Sequence, residues 1–434
     1  MKIKVKELSF DEVQELPKHK LKKPLKPGLF WRLLIKTLAK GDLKATNFTY
    51  RKIGMEKLGK KEPCLILMNH SSFIDLEIAE TVMFPRPLNI VCTSDGFVGK
   101  ELLMRLIGCI PTNKFVTDVP LVRNMRYAVE KLKTSILMYP EASYSFDGTA
   151  TPLPDSLGKC VKLLGVPVVM IRTYGAFARD PLYNNLQVRK VDVSADVKYL
   201  LSPEEIKKLT TDEINSRIQA EFTFDNFKWQ QENKVIINEP FRADFLNRVL
   251  FKCPFCKTEG KMVGKGIFIE CGQCGKKHEL TADGFLKATE GDSCFTSVPD
   301  WYKWEREEVR KELEDGTYNL DIDVDICMMT DMKAIYKVGS GHLHHDKAGF
   351  TLTGCGGKLN YTQTPKFSYS LYSDYYWYEI GDMICIGNMQ TLYYCFPKNA
   401  GDVVAKTRIA AEELYKMSTE AKNDSNFQKG SGTD

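Results

Sequence analysis

Asn69-His70-Ser71-Ser72-Phe73-Ile74-Asp75 directly follows the apolar run Cys64-Leu65-Ile66-Leu67-Met68. The apolar run predicts a buried strand, and the polar stretch begins where that strand ends, which is the usual position of a site in an α/β fold. A His and an Asp with four residues between them can act as base and orienter. The carboxylate holds one imidazole nitrogen, and the other nitrogen is then free to take a proton from a hydroxyl. The stretch therefore predicts a catalytic pair, His70 and Asp75.

Three further stretches accompany this pair along the chain: Gly108-Cys109-Ile110-Pro111-Thr112-Asn113-Lys114, Tyr139-Pro140-Glu141-Ala142-Ser143-Tyr144-Ser145 and Val166-Pro167-Val168-Val169-Met170-Ile171. Together with the first stretch they resemble the four sequence blocks of the glycerolipid acyltransferase superfamily, over about residues 28–225. The resemblance implies an α/β domain with a mixed sheet flanked by helices. It also implies that His70 is the general base, that Asp75 orients it, and that an acceptor hydroxyl attacks an acyl thioester directly.

The same resemblance implies a set of substrate-binding residues: Asn69, Ser72, Lys114, Glu141, Ser143 and Tyr144. Two positions depart from the family pattern. Lys114 stands where the family usually has an Arg that contacts the acceptor's phosphate, and Ala142-Ser143-Tyr144 stands where it usually reads Gly-Thr-Arg. Because Arg grips phosphate with two parallel hydrogen bonds whereas Lys acts as a point charge, phosphate recognition is expected to be built differently here.

Other interpretations of the first stretch are structural. His70 could be a strand-end residue with satisfied hydrogen bonds, and Asp75 could cap the helix predicted from Leu76, since Asp is a favoured N-cap. Glu141 could be an ordinary loop carboxylate and Lys114 a solvated loop cation. Ser71 and Ser72 are not predicted to be nucleophiles, because neither lies in the G-x-S-x-G turn of a serine hydrolase.

Length and composition limit the remaining possibilities. A chain of 434 residues is long enough for two or three domains. The N-terminus leads into charged residues rather than a hydrophobic region, so no signal peptide is expected. No stretch approaches the roughly 20 apolar residues that span a bilayer. The 13 cysteines of such a chain favour reduced thiols or a metal site over disulfides. We expect a cytoplasmic protein that is peripherally associated with the inner face of the membrane.

The basic N-terminal segment suggests how such an association would arise. Residues 1–61 carry 17 Lys and Arg against 6 Asp and Glu, whereas the whole chain has a net charge of only +5. Within this segment, about residues 28–40 predict an amphipathic helix with an apolar face that includes Phe30, Leu34 and Leu38. A basic helix of this kind suits the interface of an anionic membrane. The alternative is that its apolar face packs on its own domain. Nucleic-acid binding is not expected, because no helix-turn-helix or RNA-stacking motif is present.

A second module is marked by two Cys-x2-Cys motifs, Cys253 with Cys256 and Cys271 with Cys274, separated by fourteen residues. This spacing predicts a zinc ribbon in which four cysteines hold one Zn²⁺. Four thiolates leave no open coordination position, so the zinc is expected to be structural. His278 lies just beyond the second motif and is not needed as a ligand.

A third module follows, in which short aromatic strands alternate with Gly and Asp turns from about residue 318, ending in an amphipathic helix from about Ala400 to Lys416. This order resembles a pleckstrin-homology-type domain. His342, His344 and His345 fall on a predicted strand or turn without recognisable acidic or Cys partners, which favours a surface strand over a metal site.

The predicted fold is therefore an α/β acyltransferase domain followed by a zinc ribbon and a small β-rich, barrel-like domain with a C-terminal helix. The predicted segments are the basic N-terminal segment at 1–61, the acyltransferase domain at 62–240, the ribbon at 241–295, the pleckstrin-homology-like domain at 296–420 and a disordered tail at 421–434. The expected reaction moves an acyl group from acyl-CoA or acyl-carrier protein to a lysophospholipid or glycerol-phosphate-type acceptor. The alternative is a non-catalytic lipid-binding or scaffold protein on a degenerate acyltransferase fold.

Overall fold

A computed structural model of the chain describes residues 2–17, 19, 21–116 and 118–430, with the backbone alone over 421–430. The N-terminal elements are the strand β1 and the helices α1 and α2, at Val5–Glu7, Phe10–Gln14 and Leu29–Ala45. Helix α2 was predicted over about residues 28–40; it begins one residue later, with Gly28 as its N-cap, and extends five residues further.

A seven-stranded mixed sheet forms the α/β module. Its strands are β2 Thr49–Ile53, β3 Leu65–Met68, β4 Leu88–Thr93, β5 Cys109–Thr112, β6 Ser135–Met138, β7 Val168–Tyr174 and β8 Ser194–Leu201. The spatial order is β2-β8-β7-β3-β6-β4-β5, and every neighbouring pair is parallel except β7 with β8. Strand β2 lies inside the segment predicted at 1–61 and pairs within this sheet.

Helices cover both faces of this sheet: α3 Ile74–Met83, α4 Glu101–Leu106, α5 Val119–Tyr127, α6 Leu157–Leu164, α7 Ala176–Arg179, α8 Pro203–Lys208, α9 Thr211–Phe222 and α10 Asn226–Glu232. Successive side chains of a strand point to opposite faces of its sheet. Accordingly, Leu65 and Leu67 of β3 belong to one core cluster, and Ile66 and Met68 belong to another. Burial on both faces explains why the sequence of β3 is continuously apolar.

A four-stranded antiparallel sheet follows, in the order β12-β11-β10-β9. Its strands are β9 Met262–Lys265, β10 Phe268–Cys271, β11 Lys277–Leu280 and β12 Leu286–Ala288. Helix α11 comes next, at Val298–Asp315. Its buried Trp301 shares a core cluster with Ile269 and Leu280 of the small sheet, so the small sheet and α11 are joined by apolar packing.

The C-terminal strands form a large sheet in the order β16-β15-β14-β13-β19-β18-β17, with antiparallel neighbours throughout this path. They are β13 Leu320–Met329, β14 Ile335–Asp346, β15 Gly349–Gly354, β16 Leu359–Gln363, β17 Tyr372–Trp377, β18 Gly381–Gly387 and β19 Leu392–Pro397. The N-terminal strand β1 joins this sheet parallel to β14. We call β13–β19 the C-terminal β domain; its likeness to pleckstrin-homology domains stays a prediction.

Helix α12 completes the chain and runs over Val404–Gly430. The helix therefore continues past residue 421, where the disordered tail was predicted to begin, and residues 431–434 of that tail lie outside the described residues. Two Glu residues of α12 are buried and accept hydrogen bonds from an Arg of α11: Arg306 donates to Glu412 at 2.7 Å and to Glu413 at 3.0 Å. These charge-assisted bonds fix α12 against α11.

The histidines of β14 were predicted to have no acidic partners, but two of them contact aspartates. His342 lies 3.2 Å from an oxygen of Asp323 and also contacts Asp321, and His344 lies 3.3 Å from Asp346. The prediction that acidic partners are missing was wrong, because antiparallel pairing with β13 brings Asp321 opposite His344 and Asp323 opposite His342. His345 instead is buried and stacks on Phe350 with ring centroids 3.7 Å apart.

Candidate active site

The loop after β3 is fixed to the neighbouring strand by the side chain of Asn69. Its oxygen accepts the backbone N–H of Thr173 on β7 at 2.9 Å, and its nitrogen donates to the Thr173 hydroxyl at 3.0 Å. The oxygen and the nitrogen of this buried side-chain amide therefore both have hydrogen-bond partners within the protein. Asn69 positions the loop, and its predicted contact with substrate stays a prediction.

His70 and Asp75 are in contact. The His70 Nδ1 lies 3.1 Å from Asp75 Oδ2, and the same oxygen accepts the backbone N–H groups of Ser71 at 2.8 Å and Ser72 at 3.0 Å. A carboxylate can accept hydrogen bonds but cannot donate them. The contact with Asp75 therefore assigns the proton to Nδ1 of His70 and leaves Nε2 as the basic nitrogen. Asp75 lies within the first turn of α3, and the N-cap position belongs to Phe73, so the interpretation of Asp75 as the cap is wrong.

Two tyrosines enclose the imidazole of His70. The ring centroids of Tyr139 and Tyr144 each lie 4.2 Å from that of His70, and 21% of the His70 side chain is exposed. Burial lowers the pKa of His70 below its usual value, and the hydrogen bond and charge of Asp75 oppose this shift. Since burial is the larger effect, we expect a neutral imidazole at neutral pH, which is the state that a general base requires.

Glu141 supports the same residue from the loop after β6. Its Oε2 accepts the backbone N–H of His70 at 3.0 Å, and its Oε1 accepts the N–H and the hydroxyl of Thr151 at 2.9 and 3.2 Å. Burial raises the pKa of this carboxyl to about 7. Both oxygens serve the protein's own loops, so the geometry assigns Glu141 a positioning role; its contact with the acceptor stays a prediction.

Ser72 links the catalytic loop to helix α2 through a chain of polar contacts. Its hydroxyl donates to Asp180, which pairs with Arg179 at 2.9 Å, and Arg179 reaches Asp42 of α2 at 3.6 Å. Burial raises the pKa of Asp180 to about 7. Sequence reasoning missed Arg179 and Asp180, because no local motif relates them to a loop more than a hundred residues away.

The remaining predicted substrate-binding residues lie on the two loops that follow β5 and β6. Ser143 is buried, and its hydroxyl has no hydrogen-bond partner among the described residues. Tyr144 contacts His70 as described and meets the exposed ring of Phe73 edge-on at 5.8 Å. The ammonium of Lys114 lies 4.2 Å from the ring centroid of Tyr372, which belongs to the C-terminal β domain. Lys114 is therefore covered rather than solvated.

The four predicted metal ligands come together at one end of strand β10: Cys271 is its last residue, Cys274 lies in the turn after it, and Cys253 and Cys256 lie in the segment before β9. The sulfur atoms of Cys253, Cys256, Cys271 and Cys274 all lie within 4.8 Å of one another. The Sγ atoms of Cys253 and Cys274 are 3.6 Å apart, and those of Cys256 and Cys271 are 3.7 Å apart. Four thiolates at about 2.3 Å from a tetrahedral Zn²⁺ would be about 3.8 Å from one another. These residues therefore fit a metal ion of that size and geometry.

Helix α2 presents an uncovered apolar face. Phe30 is 67% exposed and Leu38 is 71% exposed, and Leu33 and Leu34 of the same face are exposed as well. Ala39 is the buried residue of α2, and the helix packs against α3. In the part of the chain that the structure describes, no helix combines the length and apolar character needed to cross a membrane.

A comparison with protein-family models covers the residues of this site. Residues 50–173 match the family model described as Acyltransferase, a range that includes His70, Asp75, Lys114, Glu141, Ser143 and Tyr144. No curated protein matches the chain. Among solved structures, the chain is similar to the 1-acyl-sn-glycerophosphate (LPA) acyltransferase PlsC from Thermotoga maritima. That match has 17% identity and a TM-score of 0.33, and covers 45% of this chain and 81% of the other. The family match confirms the acyltransferase resemblance of this part of the chain.

Proposed function

We propose that the acyltransferase domain, which the family model matches over residues 50–173, moves a fatty acyl group from acyl-CoA or acyl-carrier protein to the hydroxyl of a lysophospholipid or glycerol-phosphate-type acceptor. The observation that carries this proposal is the contact of 3.1 Å between His70 Nδ1 and a carboxylate that is itself held by two backbone N–H groups. Such a pair prepares the second imidazole nitrogen to accept a proton, which is the task that hydroxyl attack on a thioester requires.

In the proposed reaction, His70 Nε2 takes the proton of the acceptor hydroxyl while the hydroxyl oxygen attacks the thioester carbon. The bond from that carbon to sulfur then breaks, and the leaving thiolate takes the proton from the imidazolium. Asp75 stabilises the positive charge of the ring between these two transfers. General-base assistance of this kind typically contributes roughly 10²- to 10⁴-fold to the rate.

The alternative is a lipid-binding protein that keeps the fold without the reaction. The site favours the enzyme, because a binding protein has no need to bury Asp75 beside an imidazole. Burial of a carboxylate is costly unless charged or polar partners compensate for it. Here three donors converge on one oxygen of Asp75, and two of them are loop amides that fix its position.

Interfacial docking through helix α2 is part of the proposal. The exposed apolar face of α2 would enter the headgroup region of an anionic membrane, on its inner face, while the Lys and Arg of the N-terminal segment would bind lipid phosphates. Polar contacts run from Asp42 of α2 through Arg179 and Asp180 to Ser72, so the C-terminal end of α2 lies near the catalytic loop. This supports the proposal, because a membrane bound by α2 would then be close to the catalytic residues.

The four cysteines that could hold a metal are assigned one structural Zn²⁺ in this proposal. When bound, the ion would hold the segment before β9 to the end of β10 and the turn that follows it. It would supply no chemistry to the acyl transfer, since a site made of four thiolates is coordinatively closed.

The central test is acyl transfer by the His70→Ala variant. Purified full-length protein would be incubated with acyl-CoA and a panel of lysolipids, and the products would be measured by lipid mass spectrometry. We expect transfer by the wild type and a loss of at least about 10²-fold in the variant, whose melting temperature should stay close to that of the wild type. Comparable turnover by well-folded His70→Ala protein would exclude His70 as the base.

Docking is tested by a triple substitution of exposed residues: Phe30→Ser, Leu34→Ser and Leu38→Ser. Because these side chains are exposed, their loss should leave stability unchanged but weaken binding to vesicles that contain anionic lipid. The matched control is Leu163→Ser, which changes an exposed leucine on α6. Normal vesicle binding by the triple variant would contradict docking through α2. Binding by the wild type should also weaken as salt is raised, since salt screens the basic segment.

A further inference from the structure

The catalytic loop, residues 69–75, lies between the loops that follow two neighbouring strands. β3 is placed between β6 and β7 in the sheet, and both neighbours run parallel to it. The carboxyl ends of parallel strands meet at one edge of a sheet, so the three loops lie side by side. Each flanking loop brings a buried carboxyl group to the catalytic loop: Glu141 after β6 and Asp180 after β7 and α7.

The turn after β7 allows Asp180 to reach this position. Gly175 has a φ of 80°, and a Cβ atom there would lie 2.4 Å from the backbone oxygen of Asp192, so the turn requires glycine. The short helix α7 follows, and its last residue, Arg179, directly precedes Asp180. Both charged residues are buried: Arg179 is 5% exposed and Asp180 is 1% exposed.

Asp180 holds two successive residues of the catalytic loop. Its Oδ1 accepts the hydroxyl of Ser72, and the backbone N–H of Phe73 is a further donor to the carboxylate. The oxygen of Ser72 in turn accepts the backbone N–H of Ile74, the first residue of α3, at 3.3 Å. The Ser72 hydroxyl is thus used as donor and as acceptor inside the protein.

The same part of the loop determines where Asp75 meets the imidazole. The Asp75 Oδ2 that contacts His70 Nδ1 also accepts the backbone N–H groups of Ser71 and Ser72. A displacement of Ser72 would therefore move one of the donors that fix this oxygen. Two residues, Ser72 and Asp75, connect Asp180 to the ring of His70 by hydrogen bonds.

Arg179 contacts the other oxygen of the Asp180 carboxylate. Its Nη1 lies 2.9 Å from Asp180 Oδ2, and its Nη2 lies 3.6 Å from Asp42 of α2. Its backbone oxygen accepts the N–H of Arg189 at 2.7 Å, which fixes the start of the ion pair. Burial of an ion pair is costly, and apolar residues of similar volume often stabilise a fold equally well. Stability alone therefore does not explain a charged pair here, whereas its contact with the catalytic loop does.

We propose that Arg179 and Asp180 are a positioning pair for the proposed acyl transfer. Asp180 holds the catalytic loop, and Arg179 orients the Asp180 carboxylate. In this way the pair keeps Asp75 against the imidazole of His70. The inference rests on the proposed function for its effect on turnover, whereas its effect on the imidazole can be measured without turnover.

The kinetic test compares Ser72→Ala, Asp180→Ala and the double variant, as full-length proteins, with acyl-CoA and the lysolipid that the wild type acylates fastest. It is carried out above pH 7, because burial raises the pKa of Asp180 to about 7 and lowers that of His70. Each single substitution should lower kcat on the order of 10-fold, the effect of losing a hydrogen bond to a charged group, and leave KM nearly unchanged. Since Ser72 acts through Asp180, the double variant should lose less than the product of the two single effects.

Thr134→Val is the matched control. Thr134 is fully buried and its hydroxyl donates to Asn89 at 2.6 Å, but it directly precedes β6 and so lies at the edge of the sheet opposite to the site. Loss of this hydroxyl should lower the melting temperature without changing kcat. If Asp180→Ala does not fold, because Arg179 is left without its nearest carboxylate, Ser72→Ala and this control decide the outcome.

A second measurement reports the state of His70 without turnover. NMR spectra of nitrogen-labelled histidine side chains distinguish a proton on Nδ1 from one on Nε2. The chain has only six histidines, so comparison with His70→Gln assigns the signal. The wild type should show the Nδ1–H form that the contact with Asp75 imposes. Ser72→Ala and Asp180→Ala should show a mixture of both tautomers, whereas Thr134→Val should match the wild type.

The outcomes separate the positioning pair from the proposed reaction. A tautomer that depends on Asp180 and Ser72, without any acyl transfer by the wild type, would support the pair and contradict the proposed function. Acyl transfer with the same kcat and the same tautomer in all variants would overturn the pair and leave the function standing. A lower kcat with an unchanged tautomer would also overturn the pair, because the effect would then not pass through His70. A changed tautomer with an unchanged kcat would overturn it as well.

Discussion

Replacement of Cys274 by Ser should remove the metal from the cysteine cluster and unfold the small sheet at lower temperature. Cys274 is the exposed member of the four, whereas Cys253 and Cys271 are buried. Its substitution therefore changes little apolar packing, and any loss of stability can be attributed to the missing thiolate. Cys294→Ser is the matched control, since Cys294 is exposed and lies outside the cluster.

The size of the effect follows from the geometry. Sulfur separations of 3.6 and 3.7 Å lie close to the value of about 3.8 Å for a tetrahedral zinc thiolate site. Structural zinc sites bind their metal with roughly 10–16 kcal/mol at neutral pH, whereas a whole domain is stable by only about 5–15 kcal/mol. Loss of the ion is therefore comparable with the entire stability of the small sheet, and its apolar packing on α11 is what remains.

Two measurements check this prediction. Elemental analysis should find about one zinc per wild-type and Cys294→Ser chain and much less in Cys274→Ser. Fluorescence of the buried Trp301, whose ring lies 5.3 Å from that of His278 on β11, should report unfolding of the small sheet at lower temperature in the variant or after chelation. A wild-type protein without zinc would refute the reasoning, and so would metal removal that changes activity at unchanged stability.

The remaining predictions concern His70. Asp75→Asn keeps an oxygen near Nδ1 but removes the charge that stabilises the imidazolium, so we expect kcat to fall roughly 10-fold at similar KM, from the difference between charged and neutral hydrogen bonds; an unchanged kcat would contradict the assigned role. Because burial lowers the pKa of His70, kcat/KM should fall only below pH 6.5, where the base becomes protonated. A midpoint of this pH dependence above 6.5 would contradict the assignment of His70 as the base. Tyr144→Ala admits water to the ring and should move that midpoint upward, whereas Tyr144→Phe, which keeps the stacked ring, should not.

The catalytic pair could be predicted from the sequence because its determinants are local. A continuous apolar run fixes β3, and the short separation of His70 and Asp75 allows contact across one loop and the first turn of α3. The cluster of four cysteines could be predicted in the same way, since the spacing of the two Cys-x2-Cys motifs specifies it. In both cases the interacting side chains lie on adjoining elements of one short stretch of chain.

The partners of the other predicted site residues could not be found in this way. Asn69 meets Thr173, and Lys114 meets Tyr372; these pairs are separated by 104 residues in the first case and by far more in the second. The strand β1 is only three residues long and exposed throughout, and its place beside β14 depends on backbone hydrogen bonds rather than on a sequence pattern. Long-range pairing of this kind leaves no periodicity from which to predict it.

Two carboxylates hold His70, one at its ring and one at its backbone, and this arrangement connects the fold to the proposed reaction. Asp75, from α3, accepts from the imidazole, whereas Glu141, from the loop after β6, accepts the backbone N–H of the same residue. β3 and β6 are adjacent parallel strands, so their loops emerge at the same edge of the sheet. A base fixed at both its backbone and its ring need not be ordered again at each turnover, and the sheet provides that preorganisation before any substrate binds.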